Sequence, residues 1–115
     1  MNSQREILFL SHENVLQCGG NDIGKAVAEL EQGFHAFHNG NIVQPPKTTL
    51  KVSKKGAEAN SGLVNFLPSY VQMGEVEIFC CKSLRAMRSN VEIGLPRAVG
   101  LITLFCLQTK ATIYI

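Results

Sequence analysis

The sequence lacks several features that would assign it to a broad functional class. No apolar run approaches the roughly 20 residues needed to cross a bilayer. The N-terminus has no basic start followed by a long apolar stretch, so no signal peptide is predicted. The net charge of +2 is too small to indicate nucleic acid or an anionic membrane as a partner. We therefore expect a cytoplasmic protein with neither of these partners.

The cysteines show no metal-binding pattern. Cys18, Cys80, Cys81 and Cys106 form no CxxC pair and have no histidines at ligand spacing, so no metal site is predicted. Adjacent Cys80 and Cys81 are expected on opposite faces of a strand. We expect buried, reduced thiols that pack as small hydrophobic side chains.

What is present indicates a single globular domain. The chain has 115 residues, of which 45% are hydrophobic and 17% charged, which is typical of a folded protein with a core. Predicted strands outnumber predicted helices and follow them along the chain. This order favours an α+β fold over alternating βαβ units. We expect a short helix and one long amphipathic helix packed on a mostly antiparallel or mixed β-sheet.

Two helices are predicted before residue 40. Ser11 has the position of an N-cap, with Glu13 in the first turn of a short helix that ends at Gly19–Gly20. A second helix begins near Asn21 or Asp22 and ends at Asn39–Gly40. Its apolar residues recur at spacings of three and four and predict one buried stripe: Ile23, Ala26, Val27, Leu30, Phe34 and Phe37.

Apolar or alternating segments predict strands at residues 7–10, 48–53, 62–67, 75–82 and 99–107, with a polar hairpin loop over 53–61. Residues 111–115 are also apolar and β-prone. This last run predicts a hydrophobic edge strand, which another chain or a continuation of this one must cover. The domain is therefore expected to be incomplete.

Lys82 has an unusual position in this pattern. It follows Ile78, Phe79, Cys80 and Cys81, and the sequence places it at the end of that strand, before a twelve-residue loop closed by GLPR at 94–97. By alternation it shares a face with Val76, Ile78 and Cys80. An ordinary lysine with its ammonium in water and a lysine with a role in a site both fit this position.

Several segments in order resemble the ornithine cyclodeaminase/μ-crystallin family. They are residues 41–50 (NIVQPPKTTL), 65–70 (NFLPSY), Lys82, Asn90 and residues 94–105 (GLPRAVGLITLF). The family includes ornithine cyclodeaminase, certain alanine dehydrogenases and amino-acid dehydrogenases of diaminopropionate biosynthesis. The turn at 18–22 (CGGND) resembles the dehydrogenase-like branch.

The resemblance implies an architecture of which this chain has only a part. Family members are much longer, with an α+β substrate-binding and dimerisation domain around a central Rossmann domain that binds NAD or NADP. Residues 1–115 match the N-terminal part of the first domain, and the Rossmann domain is absent. The implied partners are an amino-acid or imine substrate and a second, homologous chain, normally in a homodimer.

The resemblance also implies roles for three residues. Lys82 corresponds to a family lysine that contacts the substrate and supports proton transfer, a role that partial burial would assist by favouring the neutral amine. Lys47 falls where relatives hold the substrate carboxylate with arginine or lysine. Arg97 falls at a position that contacts the cofactor in some relatives.

Departures from the family pattern argue against independent catalysis. An aromatic-Pro-x-Asn run is common in relatives, but residues 87–90 read Met-Arg-Ser-Asn. Cys80 replaces a small residue, and Lys110 replaces a glycine, which predicts an altered turn. Three hypotheses stay open: a portion of a dehydrogenase or cyclodeaminase subunit that is inactive alone, a non-catalytic module that binds itself or a partner, and a degenerate remnant.

Overall fold

A twisted β-sheet organises the structure, a computed structural model that describes residues 7–54, 57–107 and 113–114. Its strands are β1 (Ile7–Leu8), β2 (Ile42–Val43), β3 (Thr48–Lys54), β4 (Ala57–Met73), β5 (Val76–Met87), β6 (Ala98–Cys106) and β7 (Ile113–Tyr114). Helices α1 (His12–Gln17) and α2 (Ile23–His38) precede β2, and a 3-10 helix (Arg88–Ile93) joins β5 to β6. The predicted α+β class is confirmed.

The sheet order is β1-β7-β6-β5-β4-β2, and β3 also pairs with β4. Every pairing is antiparallel except the parallel pairing of β1 with β7. The mostly antiparallel sheet is therefore confirmed. The expectation that the last strand lies at the sheet edge is wrong, because β7 lies between β6 and β1.

The hairpin of β4 and β5 is longer than the sequence pattern predicts. The strands pair continuously from Gly62–Met87 to Met73–Val76 around a turn at residues 74–75. The predicted strand ends at Leu67 and Lys82 are therefore wrong, as is the loop over 53–61, because β3 reaches Lys54 and β4 begins at Ala57. Polar residues near these ends interrupt the apolar pattern from which the strands were predicted. Pairing with neighbouring strands overrides this local propensity.

Pro68 lies within β4, an unusual place for a residue that cannot donate a backbone hydrogen bond. On one side Pro68 pairs with Cys81 of β5. On the other side, β3 pairs with β4 only as far as Phe66, and β2 pairs only with Tyr70 and Val71. Pro68 thus occupies the gap between β2 and β3, where β4 is locally an edge.

Both helices begin at the predicted caps. The Ser11 hydroxyl accepts from the Asn14 N–H at 3.2 Å, and the Asn14 side chain accepts from the Ser11 N–H at 3.0 Å. The Asp22 carboxylate accepts from the Lys25 N–H at 3.0 Å and so begins α2. Each cap satisfies N–H groups that have no partner inside the helix.

The predicted buried stripe of α2 is wrong, although the helix itself is confirmed. Ile23, Leu30 and Phe34 are 73%, 62% and 73% exposed, and Ala36 is the only buried hydrophobic residue in the described part of the chain. The helix contacts the rest of the fold near its C-terminal end, where the Asn41 carbonyl accepts from the Gln72 N–H at 2.9 Å. Among the described elements, β2 and β4 contact the helix, and they leave most of the stripe exposed.

The dimensions agree with this open packing. The radius of gyration is 17.4 Å, and the fold extends over 51 × 42 × 28 Å, whereas a compact domain of this length has a radius of about 13 Å. None of the described helices combines the length and the apolar character that a membrane crossing requires.

Two glycine substitutions near the helices should have opposite effects on stability. A Cβ at Gly33, inside α2, would meet no atom within 4 Å, so Gly33→Ala should stabilise the fold by about 0.5–1 kcal/mol. A Cβ at Gly20 would lie 2.8 Å from the Val15 carbonyl oxygen, so Gly20→Ala should destabilise by about 1–3 kcal/mol. Urea unfolding followed by circular dichroism measures both; equal effects of the two variants would contradict the packing of the α1–α2 turn.

Candidate functional site

Lys82 lies in the middle of β5, not at its end, between Leu67 of β4 and Ile102 of β6. Strand alternation places it on one face of the sheet, here called the lysine face, with mostly apolar neighbours: Leu67, Ile78, Cys80, Leu84, Ile102 and Leu104. The predicted sharing of a face with Ile78 and Cys80 is confirmed. Lys82 therefore lies among mostly apolar side chains, on a face that Lys51 of β3 shares through its pairing with Leu63.

Lys82 is exposed, and it forms no salt bridge with any described residue. The salt bridge found in the described part of the chain joins Lys25 and Glu29, at 3.9 Å on the surface of α2. The partial burial expected for Lys82 is therefore not supplied by the described residues. Nothing described covers it, so its ammonium is hydrated.

Lys47 lies in the same region of the sheet. Thr48 pairs with Phe66, and Phe66 pairs with Ser83. Lys47 directly precedes Thr48 and Lys82 directly precedes Ser83, so the two lysines lie next to the same row of paired residues, two strands apart. At a strand spacing of about 4.8 Å their backbones are roughly 10 Å apart. Two long side chains at that separation can reach one small anion between them.

Arg97 lies apart from this pair. Its carbonyl accepts from the Met87 N–H at 2.8 Å, five residues beyond Lys82, which corresponds to roughly 17 Å along the strand. The structure therefore brings Lys47 and Lys82 into one region but does not bring Arg97 to it. All three side chains are exposed.

The opposite face of the sheet carries four aromatic residues of β4, β5 and β6 and is here called the aromatic face: Phe66, Tyr70, Phe79 and Phe105. The Tyr70 and Phe79 rings are 5.5 Å apart at an angle of 53°, a tilted arrangement that aromatic pairs favour. They line a hollow of about 360 Å³ together with Val43, Pro45, Pro68 and Phe105. None of the three predicted site residues lines this hollow.

The Tyr70 hydroxyl donates a hydrogen bond of 2.7 Å to the Glu77 carboxylate. This bond, together with local desolvation and the negative charge of Glu77, raises the pKa of Tyr70 above its ordinary value of 10.0. Sequence reasoning missed this pair. Seven residues separate the two across the hairpin, so only the strand register could have revealed it.

The cysteines differ from the expectation of buried thiols. Cys18 is exposed, and Cys80 and Cys81 are half-buried on opposite faces of β5 with free thiols. Within the described ranges, no three His, Cys, Asp or Glu side chains are grouped as a metal ion requires. The turn predicted to be altered at Lys110 lies outside the described residues.

Comparison with known proteins identifies a fold relative but no family. No family model and no curated protein matches the sequence. Among solved structures, the "Crystal structure of CmnK" superposes with a TM-score of 0.79 at 23% identity and covers 96% of this chain. At this identity the likeness shows the fold alone. The chain spans 33% of the CmnK chain, about a third of its length.

Replacing Glu77 by glutamine should lower the pKa of Tyr70 toward 10.0, because the amide carries no charge to disfavour the phenolate. A raised pKa in the folded state stabilises the fold below about pH 10, and this contribution is lost as pH rises through the folded pKa. Absorbance titration in a Tyr114→Phe background isolates Tyr70, since the chain has two tyrosines. Glu75→Gln is the control, and an unchanged midpoint in Glu77→Gln would refute the pairing.

Proposed function

We propose that the chain is a partial member of the ornithine cyclodeaminase/μ-crystallin family. It carries amino-acid-binding residues of an NAD(P)-dependent amino-acid dehydrogenase or cyclodeaminase, and it is not catalytic by itself. The ordered segments around Lys47, Lys82 and residues 94–105 support the family. The match to a third of a longer solved chain supports the partial character.

The position of Lys82 carries this proposal. An ammonium on the middle strand of a largely apolar sheet face is unusual, because lysines favour the rim of a fold. If a second polypeptide segment covers the lysine face, the amine becomes desolvated and its neutral form is favoured. Covering the face would therefore convert an ordinary surface lysine into a group able to accept a proton.

Lys47 supplies the second element of the proposed site. Roughly 10 Å from Lys82 by strand spacing, its ammonium can attract a substrate carboxylate while the substrate nitrogen or α-carbon lies toward Lys82. Lysine binds a carboxylate as a point charge, without the bidentate geometry of arginine. Arg97, which lies apart, is assigned to the anionic part of the cofactor rather than to the amino acid.

The described residues do not fit a dinucleotide by themselves. A pyrophosphate is usually held by free N–H groups at a helix N-terminus. At the N-terminus of α2 the Asp22 carboxylate accepts from the Lys25 N–H, so a negative charge already occupies the position that a phosphate would take. Binding of NAD or NADP therefore requires a further domain, and the chain alone should not hold a cofactor against a substrate.

A second candidate function is a non-catalytic module that self-associates or binds a partner. The exposure of the α2 stripe and of both sheet faces favours it. In addition, the outer side of β3 pairs with no strand in the described part of the chain and offers backbone groups for strand addition. The remnant hypothesis predicts the opposite behaviour, because it requires no stable assembly.

A thermal melt with light-scattering mass on the same sample separates these candidates. For an interaction module we expect one cooperative transition at a defined dimer mass, because association covers the exposed apolar side chains. A cooperatively melting monomer would count against self-association. A broad melt with a polydisperse mass would favour the remnant hypothesis.

The enzymatic proposal predicts that the isolated chain does not oxidise NADH or NADPH with a 2-keto acid and an amine. We expect activity only in a chimera in which this chain replaces the corresponding part of an enzyme of the ornithine cyclodeaminase/μ-crystallin family. There, Lys82→Met should lower the rate at least about 100-fold through loss of proton transfer. Lys51→Met, an exposed lysine on β3, is the matched control. Turnover by the isolated chain, or equal rates for the two variants, would refute the proposal.

A further inference from the structure

Asn90 is the one buried polar residue in the described part of the chain, with 8% of its surface exposed. Its surroundings are not a hydrophobic core, since Val91, Ile93 and Leu95 in the same loop are 62%, 71% and 51% exposed. The 3-10 helix that contains Asn90 contacts β4, so Asn90 is buried within this chain and does not require a covering partner.

Hydrogen bonds from Asn90 reach two residues of the turn that follows the 3-10 helix. Its side-chain amide donates to the Pro96 carbonyl at 3.1 Å. Its backbone carbonyl accepts from the Leu95 N–H at 2.8 Å. Gly94, the residue before Leu95, takes the left-handed conformation with φ 73°. This conformation allows the chain to reverse without strain.

The base of the loop is closed independently. The Met87 N–H donates to the Arg97 carbonyl at 2.8 Å, and the next pair, Ala86 with Ala98, begins the ladder between β5 and β6. Arg97 is thus held at its own carbonyl and, one residue earlier, at the Pro96 carbonyl. The Asn90 amide is the donor to the Pro96 carbonyl, so removing this amide should release the second point.

We propose that Asn90 is a positioning residue that fixes the Gly94–Arg97 turn, and with it the starting point of Arg97, before any partner binds. An asparagine suits this role because its short amide donates while its own backbone continues the 3-10 helix. The inference rests on the proposed function in one respect: the proposed function supplies the anionic ligand that Arg97 would bind. The fixed turn is a property of this chain alone.

Hydrogen–deuterium exchange with mass spectrometry tests the proposal on the full chain without ligand. In Asn90→Ala the Leu95 amide should exchange at least about tenfold faster, because opening of the turn no longer breaks the bond to Pro96. The β5 and β6 amides of residues 78–82 and 102–105 should keep their protection. Ser89→Ala, a neighbouring change outside these bonds, should match the native chain.

Asn90→Asp adds a readout that a purely structural role would not change. An ionised carboxylate cannot donate to the Pro96 carbonyl, whereas a protonated carboxyl can. In Asn90→Asp, protection of the Leu95 amide should therefore recover as pH falls through the ordinary carboxyl pKa of about 4. The comparison at each pH is with the Leu95 amide of Asn90→Ala. At neutral pH, trypsin should cleave after Arg97 faster in both Asn90→Ala and Asn90→Asp than in the native chain.

Two results would overturn the inference. Native exchange at Leu95 in both Asn90→Ala and ionised Asn90→Asp would show that the turn holds itself. Equal loss of protection in the loop and in β5 and β6 would show that Asn90 supports the whole fold and does not position the turn. Neither result depends on a nucleotide, so failure here is distinguishable from failure of the chimera to turn over.

Discussion

The pairing of β4 with β5 is the interaction on which the other elements depend. It runs unbroken from Gly62–Met87 to Met73–Val76, and β2, β3 and β6 all attach to one of its two strands. Its register places Lys82 beside Leu67 and fixes which side chains share each face. Because side chains alternate, a shift of one residue would move Lys82 to the aromatic face.

Backbone hydrogen bonding, more than side-chain burial, holds this fold together as it stands. The ladders and helix caps satisfy polar groups, while the α2 stripe and both sheet faces expose large apolar side chains. Folding is normally favoured chiefly by removing such surface from water. Any segment that covered this apolar surface would therefore add to the stability of the fold.

Local sequence signals predicted the helices, whereas pairing between distant residues determines the strand ends and the contacts across the sheet. Caps at Ser11 and Asp22 and the spacing in α2 can be read from neighbouring residues, and both helices are confirmed. The ends of β4 and β5 and the Tyr70–Glu77 bond depend on register, which periodicity does not specify. For the site, resemblance selected Lys47, Lys82 and Arg97, but only the sheet shows that two of them are neighbours. Burial of the α2 stripe was wrong because amphipathic spacing shows where a contact is possible, not whether one exists.

The parallel pairing of β1 with β7 also affects the order in which the chain acquires structure. Ile7 pairs with Ile113 and Leu8 with Tyr114, so residues from near the two ends of the described chain meet in adjacent strands. During synthesis β1 leaves the ribosome first and has no strand to join until β7 emerges. The hairpin of β4 and β5 can form well before that, because its residues are close in sequence. Addition of β1 to the edge of the sheet is therefore the late, high-contact-order step, and β1 remains an unpaired apolar segment until then.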